Sequence, residues 1–316
     1  MFGHVARLTA ALTSAIAISG VLIAQDNPSS VPIQLTHGKP FVSVMVNGKG
    51  PFRFVIDTGT SGDAFVSAEL ADQLNLPVSG FVHLSDPSKQ GSQKVPTVTI
   101  QTLRVAGVSF TNVKAVKHAL GDADGNCDGL LGFQLFQNYL FTLDYPRRRL
   151  TLASGALQPD GEQSVLPFHM PDGIPVVAMR VGDIPIEAQI DSGGTGLSLP
   201  ERIAPRLKFI ADPETRGSAQ SMSTRFLLRV AKLASDVRMG SYTFTKPTVE
   251  INAAFPLANF GASAMQKFAL TFDQKNGLVR FESTQQTLRI SAAQTQLKLD
   301  LSPSEKPRDI SLVPVG

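Results

Sequence analysis

The sequence has no Trp, only three Tyr and a single Cys, Cys127, among 316 residues. One thiol excludes an internal disulfide, so any core must hold through packing alone. Long apolar runs are also scarce: after residue 24 no stretch is long enough to span a bilayer as a helix. No Lys/Arg block is interleaved with aromatics and the net charge is +3, which together argue against a nucleic-acid partner. The five His residues, His4, His37, His83, His118 and His169, show no metal-ligand spacing. The acidic run from Asp122 to Asp128 fails as a calcium loop, because Cys127 and Phe133 stand where Gly and Glu are needed. Gly193-Gly194-Thr195-Gly196 lacks the Lys of a phosphate loop, and Cys127 lacks the neighbours of a nucleophile. No metal and no cofactor are expected.

Residues 1–24 stand apart from the rest. One Arg and one His precede an Ala-rich apolar run from Leu8 to Ala24, and polar Gln25 to Ser30 follows, which is the pattern of a secretory signal peptide. Export to a periplasm or to the medium is the expectation. Neither Ala24 nor Ser19 gives a clean cleavage site, so an uncleaved N-terminal anchor is the alternative.

What the chain does have is an internal repeat. The stretch Pro51 to Gly62 is echoed by Pro185 to Gly196, placing Asp57 and Asp191 134 residues apart; Met45 falls on Met179, Gly48 on Gly182 and Ile56 on Ile190 at the same spacing. In both copies a β-rich run delivers an Asp, then a hydroxyl residue, then a Gly, so the carboxylate sits where a strand breaks into a loop. A second echo, at 129 residues, sets Gly132 on Gly261, Thr142 on Thr271 and Asp144 on Asp273. Two halves are built to one plan.

The pattern between these landmarks is mostly strand. Asn47-Gly48 separates two β-branched runs as a hairpin turn. Ser67 to Leu76 has helical spacing and Pro77 stops it. Val95 to Phe110 alternates as a strand. Leu130-Leu131-Gly132 reads as a buried strand behind the first Asp loop, where a side chain on Gly132 would collide with backbone, and Phe133 to Tyr139 reads as a short helix. Arg147 to Arg149 is a solvated hairpin tip. The chain divides into a leader (1–24), a first lobe (25–153), a linker (154–165), a second lobe (166–282) and a tail (283–316) that is partly ordered at most, with Leu297 to Leu301 alternating like an edge strand.

Asp57-Thr58-Gly59-Thr60-Ser61 and Asp191-Ser192-Gly193-Gly194-Thr195, each followed downstream by a segment running into Gly, resemble the two lobes of an aspartic protease, in the compact single-chain bacterial style called retropepsin-like. The likeness spans roughly residues 31–282. Leu130-Leu131-Gly132 fits the family's apolar-apolar-Gly segment, whereas Asn259-Phe260-Gly261 fits it less well. The resemblance implies an all-β fold of two homologous six-stranded-barrel-like lobes about a pseudo-two-fold axis, with short helices. It implies a monomer acting on a peptide or protein, with Asp57 and Asp191 catalytic. Thr58 and Ser192 would bond across the lobes, Gly59 and Gly193 would let the loops approach the carboxylates, and Gly132 and Gly261 would be structural. Thr60 would support the outer oxygen of its Asp; Gly194 has no hydroxyl, so that support is expected on one side only. Three glycines after Asp191 suggest a loose second loop, and no Tyr falls in the hairpin that serves the family as a flap. A single Cys favours a bacterial envelope over the disulfide-rich eukaryotic relatives.

Two carboxylates about 3 Å apart share one proton, because both cannot ionise easily. The charged one would act as general base on a water while the protonated one polarises the substrate carbonyl. The rival expectation is an inactive protein of the same fold that binds a peptide or protein in its cleft, as plant xylanase inhibitors do. Retention of Asp57, Thr58, Asp191 and Ser192 favours the peptidase.

Overall fold

A computed structural model describes residues 28–85, 92–120, 127–220, 225–285 and 287–289. The strand Lys39–Val46 turns through Asn47 and Gly48, both at positive φ, into Lys49–Asp57, as the Asn-Gly signal predicts. Lys49–Asp57 then pairs in parallel with Gly129–Gly132, and the path continues through Ala64–Ser67, Val108–His118 and Gln93–Val105. Pairing of Met45 with Arg104 and of Val46 with Leu103 closes these six strands into a barrel. Its inward residues alternate along each strand, with Phe54, Ile56, Val66, Val98, Ala115 and Leu131 essentially without exposure.

Three local expectations need correction. The long strand expected to end at Phe110 is two strands joined at Ala106 and Gly107, both at positive φ; Ala is a weak turn signal and the turn was not legible. The helix expected to reach Leu76 spans only Ala68–Gln73, capped by the Ser67 hydroxyl and ended by Asn75 at positive φ. The helix after Gly132 is one 3-10 turn, Phe133–Phe136.

The second half repeats the order with a broken edge. Val176–Val181 and Ile184–Asp191 form the hairpin, and Ala258–Gly261, Leu197–Pro200, Thr248–Asn252, Arg225–Lys232 and Glu214–Gln220 follow in sequence across the sheet. Here the long hairpin of the first barrel is cut into shorter pieces. Val176–Val181 pairs with Val237–Met239, and Tyr242–Phe244 continues from there to Thr287–Leu288. The expected strand at Leu297 to Leu301 and the leader at 1–24 lie outside the described residues.

A six-stranded sheet joins the lobes, in the order Ser29–Pro32, Arg149–Ala153, Leu140–Asp144, Ala269–Asp273, Leu278–Glu282 and Val165–His169. At its centre Leu140–Asp144 pairs antiparallel with its own repeat, Ala269–Asp273, and Thr142 faces Thr271 with their hydroxyls 2.9 Å apart. The residue matched to itself by the 129-residue repeat therefore lies on the pseudo-two-fold axis. The other matched pair, Asp144 and Asp273, caps equivalent turns by accepting from the N–H of Arg147 and of Asn276. Beneath the sheet Phe133, Phe136, Phe141 and Phe272 pack ring on ring, with centroids 4.3 Å apart for Phe136 and Phe141 and 5.1 Å for Phe133 and Phe272. All four are fully buried, and each contributes about 1.5–3 kcal/mol by burial. This layer substitutes for the disulfides that the composition excludes.

Candidate active site

Both Asp residues end a strand of the same kind. Asp57 pairs with Gly132 and Asp191 with Gly261 across a parallel ladder, so each carboxylate is held where its strand stops. One residue later the lobes interlock. Thr58 Oγ1 donates to Ile190 O at 2.7 Å and accepts from Ser192 N at 2.9 Å; Ser192 Oγ donates to Ile56 O at 2.7 Å and accepts from Thr58 N at 3.0 Å. Both side chains are fully buried, so four backbone groups and two hydroxyls satisfy one another in a closed ring. The ring fixes the two loops face to face.

The carboxylates are consequently crossed over each other's loops. A Cβ on Gly59 would run into the Asp191 carboxyl, and one on Gly193 into the Asp57 carboxyl. Gly132 and Gly261 are needed for the companion reason, since a side chain on either would strike the backbone oxygen of Gly62 or of Gly196. The nine residues singled out from the sequence are thus gathered around one point.

Their surroundings differ between the halves. Asp57 accepts from Gly59 N at 2.9 Å and from Thr60 Oγ1 at 2.8 Å. Asp191 accepts from Gly193 N at 2.9 Å, Gly194 N at 2.8 Å and Asn259 Nδ2 at 2.8 Å. The expectation of one-sided outer support is therefore corrected: Asn259 does for Asp191 Oδ2 what Thr60 does for Asp57 Oδ2. Asn259 occupies the place of Leu130 in the first lobe. Its misfit to the apolar-apolar-Gly segment was the signal that sequence reasoning passed over. The loose-loop expectation is corrected too. A Cβ on Gly194 would strike Asn259 Nδ2, and one on Gly196 would lie 2.8 Å from the Glu250 carboxyl. The glycines after Asp191 leave room for polar side chains that fill the loop from outside.

Burial, and next the charge of Asp191, push Asp57 up from 3.8 to about 7, against the opposing effects of Thr60, Lys39 and the Gly59 N–H. The Tyr145 hydroxyl, buried beneath the pair with no hydrogen-bond partner, is likewise raised by burial and by Asp191 and Asp57. Cys127 donates to Gly129 O at 3.2 Å, and burial raises its thiol, which suits a packed side chain. Among the described residues no group of His, Cys, Asp and Glu is arranged to hold a metal.

Residues 42–135 match the family model for aspartyl proteases. The match takes in Asp57, its hydroxyl neighbour and Gly132, and stops before the second copy. No curated protein matches the chain. The two β lobes and their joining sheet have the all-β architecture of the aspartic protease fold. The strands Val78–Leu84 and Gln93–Val105 pair antiparallel, with Phe81 exposed and Lys94 4.9 Å over its ring; residues 86–91 lie outside the described residues.

Proposed function

We propose that the protein is an aspartic endopeptidase, in which Asp57 and Asp191 activate a water between them to hydrolyse a peptide bond. The observation that carries this reading is the crossing of the two carboxylates over each other's loop glycines, locked by the Thr58–Ser192 ring. With its pKa near 7, Asp57 keeps the shared proton up to neutral pH and donates it in a hydrogen bond to the substrate carbonyl. Asp191, surrounded by three N–H donors, is equipped as the anionic partner that takes a proton from the water. As the water attacks, the carbonyl carbon becomes tetrahedral. Collapse breaks the C–N bond, and a proton passes through the pair to the leaving amine. No covalent enzyme intermediate forms, and no metal is required.

The reading carries further expectations: a monomer, since both halves lie in one chain, acting outside the cytosol on a peptide or protein. Residues 25–316 should cut a diverse peptide mixture between pH 3 and 8, and Asp57→Ala and Asp191→Ala should each abolish every cut. A folded wild-type chain that cuts nothing across that range would leave the cleft as a peptide-binding site only.

A further inference from the structure

Each lobe carries, on the face that bears its Asp, a row of four side chains lying side by side across neighbouring strands. In the first lobe the row is Val55, Leu130, Phe65 and Val116, paired in that order. In the second it is Gln189, Asn259, Ser198 and Glu250, in the same order and through the same types of pairing. Directly paired residues share a face, and Val55 and Gln189 stand two residues before Asp57 and Asp191, so both rows lie on the carboxylate side of their sheets. The opposite faces, with Ile56, Leu131 and Ala115 in one lobe and Ile190 and Phe260 in the other, are core. Asn259 proves the orientation by reaching Asp191 Oδ2.

Four apolar side chains in one lobe thus answer to four polar ones in the other. Leu130, Val116, Asn259 and Glu250 keep partial exposure while Val55, Phe65, Gln189 and Ser198 are buried, so a bound molecule meets each row at its second and fourth members. Glu250 lies against Gly196, and no cation among the described residues pairs with it. A partly buried carboxyl on the carboxylate side of the sheet, with no cation partner among the described residues, gains most from a bound group that brings one.

Resting on the peptidase reading, we infer that the two rows make the enzyme select peptides asymmetrically about the cut bond: an apolar side chain on one flank, and on the other a side chain with N–H donors, Lys or Arg before Asn or Gln, met by Glu250. The pseudo-two-fold axis runs through the dyad, so the residues on either side of the bond fall over different lobes. A site with a carboxyl and amide to satisfy rejects an apolar side chain more strongly than an apolar row rejects a small change of size.

The test is cleavage-site profiling of a random peptide library by the wild-type chain, Glu250→Gln and Glu250→Val, with folding checked by circular dichroism. For the wild type, an apolar preference at one flank and an N–H donor preference at the other are expected. Glu250→Gln should lower kcat/KM for Lys and Arg substrates about 10-fold while keeping Asn and Gln substrates. Glu250→Val, which installs the Val116 of the other lobe, should move that flank toward apolar residues and leave the first flank unchanged. Efficient cleavage with the same apolar preference on both flanks, or a profile that Glu250→Gln does not move, overturns the inference while the peptidase stands. Absence of any cleavage by folded wild type overturns both.

Discussion

The two lobes place their Asp residues alike and support them differently. In the first, Thr60 on the loop itself reaches Asp57, and an apolar Leu130 sits behind. In the second, the loop residue is Gly194 and the supporting donor, Asn259, comes from the strand behind. Each arrangement excludes the other, because a side chain on residue 194 would occupy the space of the Asn259 amide. Duplication therefore preserved the positions of the carboxylates and the crossed hydroxyl ring. The side-chain donor to each outer carboxylate oxygen comes from the loop in one lobe and from the strand behind it in the other. The lesson is that pseudo-symmetry of the backbone need not extend to the electrostatics, and asymmetry here gives two identical carboxyls different donors.

The comparison can be broken at its root. Asp57→Ala and Asp191→Ala should each lower kcat by about 10⁴-fold or more, because members of one catalytic unit fail together and not by halves; single-turnover cleavage of one peptide would show it. If either variant keeps substantial activity, the lobes are not partners in one reaction. The next largest effect is structural. Thr58→Val removes two hydrogen bonds from the buried ring and strands the Ser192 N–H and the Ile190 carbonyl, costing about 2–5 kcal/mol, read as a lowered denaturant midpoint.

The exchange of support is tested by swapping it. Asn259→Leu should lower kcat about 10-fold to 100-fold, since Asp191 loses an N–H donor. Gly194→Ser alone should be as harmful, through the clash. The pair together should recover most of the loss by rebuilding the first-lobe arrangement, a coupling that a double-mutant cycle measures. Simple additivity would deny that the two residues share one space.

Smaller effects appear in pH dependence. Asp57 keeps its proton to about pH 7 in the folded chain, against 3.8 ordinarily, so the folded state binds more protons across that window. Stability should fall as pH rises from about 4 to 7, kcat/KM should fall above about 7, and Asp57→Asn should flatten the stability slope. Smallest of all is a change in the linker. Asp160 accepts from the Ser164 hydroxyl and then from the N–H groups of Ser164, Val165 and Gln163, and is held down to about 2. Its contribution is present above about pH 4 and is lost as pH falls toward 2. Asp160→Asn should therefore lower the melting temperature by a degree or two at pH 7 and not at all near pH 2.

Much of this was legible in the chain. A repeated strand-Asp-hydroxyl-Gly pattern fixes where a strand breaks, and the Asn47-Gly48 turn and the alternation of Lys39–Val46 follow from local chemistry. Gly132 and Gly261 were readable because only a missing side chain lets two backbones meet. The turn at Ala106, the shortened helix after Ser67 and the role of Asn259 were not readable. Each depends on what the rest of the fold brings against it.

By itself, then, the sequence determined the two-lobed plan, the carboxylate pair and the hydroxyls that join the lobes, because these are repeated local patterns. Tertiary structure alone decided that Thr142 meets Thr271 on the axis and that Asn259 reaches Asp191 from a strand 68 residues away. It also decided that Glu250 lies against Gly196, so that one lobe faces the dyad with apolar side chains and the other with polar ones. Lateral strand pairing sets those neighbours, and pairing depends on register and closure, which no short stretch of sequence encodes.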